Sequence, residues 1–71
     1  MEYQAIARHA DNTYHGHIFN TDGAAVDSVT GMLPRNANPT DVALIVHRVY
    51  SGNIGDIAYV TTLAKYQVDT E

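Results

Sequence analysis

Residues 38–52, Asn-Pro-Thr-Asp-Val-Ala-Leu-Ile-Val-His-Arg-Val-Tyr-Ser-Gly, constrain this chain most, because one uninterrupted run carries a start signal, an apolar stripe and a stop signal. Asn38 suits a helix cap, Pro39 the first helical position, and Asp41 the positive end of the helix dipole. Val42, Ile45, Val46 and Val49 fall at i, i+3, i+4 and i+7, with Ala43 and Tyr50 widening the stripe. Gly52 ends the run, and Asn53 and Gly55 loosen the exit. The spacing predicts the single helix of the molecule over 38–52. A lone amphipathic helix needs a sheet to cover, so the remaining segments are read as strands around it.

Tyr3 to Ala10 alternates, with Tyr3, Ala5 and Ala7 on one side and Gln4, Ile6 and Arg8 on the other. Asp11-Asn12 turns the chain into a second strand, Tyr14 to Asn20. Asp22-Gly23 suits a type I′ hairpin. Ala24 to Met32 reads as a third, less regular strand, because Val26 and Val29 fall on opposite faces unless a bulge intervenes near Gly31. Leu33 to Ala37 connects to the helix. Beyond it, Ile57 to Val68 is rich in β-branched and aromatic residues and reads as a long strand, with Asp69 to Glu71 as a frayed tail. The expectation is a single α+β domain over residues 1–71, an antiparallel sheet of about four strands in the order β-β-β-α-β with one helix packed on one face. No sequence repeat or linker is visible.

A chain of 71 residues has room for one modest core and buries only roughly 60% of its unfolded surface. It has no cysteine to staple that core, which makes association the natural support and fits a reducing compartment. No apolar run approaches the roughly 20 residues of a membrane span, and the amino terminus lacks the basic start and apolar stretch of a signal peptide. The expected location is the cytoplasm, the host's if the chain is viral. Eight carboxylates oppose four Lys and Arg. Arg8, Arg35, Arg48 and Lys65 are scattered, so direct nucleic-acid binding through a basic patch is not expected.

Chemistry, if present, rests on histidine. His15 and His17 are two apart on the second expected strand, which would put both rings on one face with Arg8 opposite His15. A zinc site needs a third ligand, and neither His9 nor His47 is spaced to supply it. His15 or His17 with Asp27, or Ser28 or Ser51 as a nucleophile, lacks the surrounding signature of a catalytic site, and Gly52, Gly55 and Asp56 follow the helix where a phosphate loop precedes one. No enzyme activity, metal or cofactor is expected.

Both faces of the expected Ile57–Val68 strand are apolar, and one helix covers one face. Ile57, Tyr59 and Leu63 would form an exposed strip needing a partner. Tyr14 and Tyr59 suit interface anchors, whereas Tyr3, Tyr50 and Tyr66 suit the core or its edge. The segment Met1 to Ala5, followed by the Asp11-Asn12 turn and Tyr14, resembles antitoxins of the HicB type over at most the first half of the chain. That resemblance implies a strand-strand-strand-helix-strand order and an antitoxin-like regulator. The Pro and Gly pattern that family carries before its helix is missing here.

The functional expectation is therefore a small non-enzymatic protein-binding module. It would be an inhibitor or modulator occupying a site on a larger protein or complex, in the manner of phage and mobile-element proteins directed at defence systems such as CRISPR, with a homodimer as the other way to cover the strip. Its expected binding residues are Ile57, Tyr59, Leu63, Tyr14, His15 and His17. A small enzyme or metal protein using His15 and His17 is the rival.

Overall fold

The computed structural model describes residues 1–69, with β1 (Glu2–His9), β2 (Asn12–His15), α1 (Asp22–Thr30), a 3-10 turn (Pro39–Asp41), β3 (Val42–Tyr50), β4 (Asn53–Thr62) and α2 (Leu63–Asp69). The strands form one antiparallel sheet in the order β2-β1-β3-β4, and α1 packs on it, chiefly against β1. This is a small α+β fold. Thr70 and Glu71, in the expected tail, lie outside the described residues; Asp69 ends α2.

The run 38–52 is a strand at the centre of the sheet, not a helix. Its start signal is genuine but lasts one turn: Asn38 Oδ1 accepts from the Thr40 amide at 3.1 Å and Pro39 opens the 3-10 turn. After that turn β-branched residues dominate, and they lose rotamer freedom in a helix while packing well on a pleated surface. Val42, Leu44 and Val46 are fully buried on the covered side, and Ile45 and Val49 point to the other side. A strand paired on both edges and apolar on both faces produces a continuous apolar run, in which helical spacings arise by coincidence.

Of the expected third strand, residues 24–30 lie in α1 and residues 31–32 in the turn that follows it. Thr21 caps it, its Oγ1 accepting from the Ala24 amide at 3.2 Å, and Asp22 sits in the first turn where the dipole favours an acid. Asp22-Gly23 therefore starts a helix and does not close a hairpin. Val26 and Val29, on opposite faces of a straight strand, are neighbours on a helix, and with Ala25 they form its buried side. The expected last strand also divides. β4 ends at Thr62, whose Oγ1 accepts from the Lys65 amide at 3.2 Å and so caps α2. The observed order β-β-α-β-β-α replaces β-β-β-α-β, including the order implied by the antitoxin resemblance.

The tight turns differ from expectation in the same local way. β1 and β2 are closed by Ala10 and Asp11 between the pair His9 and Asn12, with Ala10 in the left-handed region at φ 54°. Ser51 (φ 52°) and Gly52 (φ 80°) join β3 to β4, a pair of positive φ values that matches the type I′ hairpin. Gly52 thus turns a hairpin and ends no helix.

The architecture repeats although the sequence does not: β1-β2-α1 and β3-β4-α2 are each a hairpin followed by a helix, joined where β1 pairs with β3. The core lies between sheet and helices, formed by Ala5, Ala7, Val42, Leu44 and Val46 below and Ala25, Val26, Val29 and Leu63 above. Small side chains on β1 let α1 sit close. Gly16 does the same beside β2, since a Cβ there would stand 3.2 Å from the Val29 Cβ.

Candidate interaction face

One face of the sheet carries both helices; the other carries nothing among the described residues. Strand alternation and register decide which side chains lie on the open face. On β1 it takes Glu2, Gln4, Ile6 and Arg8, opposite the set Tyr3, Ala5 and Ala7 that meets the core, as alternation predicts. Ile6 pairs with Ile45, and Ile45 pairs with Val60, so three branched aliphatic side chains form a row across β1, β3 and β4. His15 extends that row on β2, opposite Ile6.

The contribution of β4 depends on two irregularities. Val46 pairs with Tyr59 but His47 with Ile57, and Val49 with Ile54, so β4 carries one extra residue at each shift. Each shift resets the alternation. Ile54, Ile57 and Val60, three apart, consequently share the open face, where they are 49%, 50% and 63% exposed. Ala58 and Tyr59 instead pack against the core side.

The expected strip of Ile57, Tyr59 and Leu63 is therefore divided by the sheet. Ile57 stands on the open face. Tyr59 is on the covered face, where its hydroxyl donates to Asp22 Oδ2 at 3.1 Å across to α1. Partial burial, followed by the Asp22 contact, raises the Tyr59 pKa far above that of an ordinary tyrosine. Leu63 is 6% exposed and belongs to the core, because α2 starts there. A straight-strand alternation places Tyr59 and Leu63 with Ile57; the bulge and the change to helix undo it.

Tyr14 pairs with Ala7 and packs against the core, so it too lies on the covered side. His15 and His17 do not share a strand. β2 stops at His15, and the His17 amide donates to Ser28 Oγ on α1 at 3.1 Å. The residue opposite Arg8 is Thr13, not His15. Asp27 and Ser28 lie on α1, and Ser51 lies in the β3-β4 turn. Among the described residues no group of three His, Asp or Glu side chains is placed to share a metal ion.

Of the tyrosines expected at the core or its edge, Tyr3 and Tyr66 lie there and Tyr50 does not. Tyr3 and Tyr66 pack against the core, and burial raises the Tyr66 pKa. Tyr50 is exposed and donates to Asp56 Oδ1 at 2.9 Å, while Arg48 contacts Asp56 Oδ2 at 2.6 Å. The Tyr50 hydrogen bond is the foremost influence holding the Asp56 carboxyl below its ordinary value. The Tyr50 ring lies across Gly55, leaving no space there for a side chain.

Ile6, Ile45, Ile54 and Val60 complete the open apolar face and were absent from the sequence-based set. For Ile6 the signal was available, since it alternates with Ala5 and Ala7. For Ile45 it was hidden by the helical reading of 38–52, for Ile54 by the reading of Asn53 to Gly55 as the exit from that helix, and for Val60 by a bulge that composition does not announce. No helix among the described residues is long and apolar enough to cross a membrane. Comparison with protein-family models, curated proteins and solved structures finds no match.

Proposed function

We propose that this chain is a protein-binding module that acts by occupying a site on a larger protein or complex, as an inhibitor or modulator and without chemistry of its own. The observation that carries this reading is the uncovered sheet face, where Ile54, Ile57 and Val60 remain 49% to 63% exposed beside Ile6 and Ile45. Contiguous apolar surface costs free energy in water, and on a small domain it marks an interaction surface more often than an accident of packing. An open sheet face suits a broad protein contact. The setting is the cytoplasm, the host's for a phage or mobile-element product, and defence complexes such as CRISPR are targets of the right kind.

The test is affinity capture from a lysate of the source cell, with mass spectrometry, on the parent protein and on Val60→Asp in parallel. Val60 is an exposed residue of an edge strand, so the variant changes the face and spares the core. A discrete large protein held by the parent and lost by the variant is the expected result. The same proteins on both baits, or none on either, overturn the reading.

A further inference from the structure

We propose that a second copy of this chain occupies the open sheet face when no target is bound, the two sheets stacking about a two-fold axis that lies between them and perpendicular to the strands. The proposal rests on the reading of that face as an interaction surface and names its occupant. Two observations select a second copy: the charge arrangement of the face and its area.

The chain as a whole carries a formal charge of −4, but the open face does not share that imbalance. Asp22 and Asp27 lie on α1, Asp41 in the 3-10 turn, Asp11 in the β1-β2 turn, and Asp56 meets Tyr50 and Arg48 near the covered side. The formal charges that β1, β3 and β4 place on the open face are Glu2 and Arg8, at opposite ends of β1. Six residues of strand separate them by about 20 Å. A basic or an acidic partner finds no net charge to match there. A second copy turned end for end does, because its Arg8 falls over Glu2 and its Glu2 over Arg8.

The axis crosses β1 midway between Glu2 and Arg8, so the same rotation brings Val60 of each copy over Ile57 of the other, while Ile6 comes over Gln4 and Ile45 over His47, which stays formally neutral at pH 7. Strands stacked in this way stay within the roughly 30° of aligned sheet packing. Four strands at the usual spacing and about eight residues of length give a face of about 500 Å² per copy, hence about 1,000 Å² removed from water in total. That reaches the lower bound of a specific interface, in the size class of weak and transient contacts.

Sedimentation equilibrium of the purified chain tests this, from about 1 µM to about 1 mM, on the parent, on Glu2→Arg, on Arg8→Glu and on the double reversal. A parent dimer is expected, with Kd raised about tenfold by either single reversal and returned to within about threefold by the double one. Circular dichroism at dilute concentration checks that each variant is folded, and Val60→Asp, which leaves both charges in place, is expected to abolish the dimer. A parent that is monomeric throughout overturns the proposal. So does a dimer indifferent to both single reversals, which is the result for pairing through the β4 edge, or one that the double reversal fails to restore. A monomeric parent that still captures a larger protein through Val60 overturns self-pairing alone. A dimer that behaves as expected, with no Val60-dependent capture, leaves self-pairing standing and removes the larger target.

Discussion

On the covered side of the sheet, Val42, Leu44 and Val46 meet Ala25, Val26 and Val29 and keep essentially no surface in water. One peptide unit away from two of them, Ile45 points the opposite way into a row with Ile6 and Val60, which is 63% exposed. The two faces use the same residue types and differ in what lies over them. Hydrophobicity therefore does not distinguish a core position from an interface position in this chain. Register decides the face, and a one-residue change of alternation transfers a side chain from one face to the other.

The contrast is sharpest in stability. Leu44→Ala removes a large, fully buried side chain and is expected to cost about 2–5 kcal/mol. Against a total near the lower end of about 5–15 kcal/mol, that is enough to unfold much of the population. A urea midpoint equal to the parent's would break the assignment of Leu44 to the core.

A smaller effect is expected where α1 begins over the covered face. Thr21→Ala removes the acceptor for the Ala24 amide and should destabilise by about 1 kcal/mol, read from the same urea titration. An unchanged midpoint would mean that α1 does not depend on its cap.

The covered face should also respond to alkali. Tyr59 has a raised pKa in the folded chain, so its contribution is fully present below the ordinary tyrosine value of 10.0 and declines as pH rises beyond it, when the unfolded chain ionises first. Tyr66 shifts in the same direction. Melting temperature followed upward from pH 10.0 should therefore fall, and less steeply in Tyr59→Phe. Parallel slopes in parent and variant would show that Tyr59 is not held neutral by the fold.

The smallest effect belongs to the open face. Ile57→Ser, measured at concentrations too dilute for association, should change stability by no more than about 0.5 kcal/mol. A loss comparable to that of Leu44→Ala would place Ile57 in the core of the single chain and erase the distinction between the faces.

The α+β class, the antiparallel sheet and the alternation of β1 were legible in the sequence, as was the surplus of apolar surface over what one helix covers. Element identity was less so. The run from Val42 to Val49 satisfies a helical stripe only while Leu44, the largest fully buried side chain, is left out of account. Thr21, the residue that marks α1 as a helix, sits directly before an Asp-Gly pair that equally suits a turn. On β4 the open residues recur every third position because two bulges intervene, and a strand without bulges would have sent Tyr59 outward. Bulges depend on the neighbouring strand, so their positions emerge only once pairing is known.

The two hairpin-helix units have a consequence for how the chain reaches its native state. Each hairpin closes across two residues and forms from neighbours in the sequence, as fast local structure does. The pairing of β1 with β3 is of another kind: it joins Ala7 to Leu44 and must close the whole interval between them. That single antiparallel seam supplies the long-range order of the sheet, so the rate of folding is expected to follow the length and stiffness of the connection from Gly31 to Asn38 more closely than the strength of either hairpin.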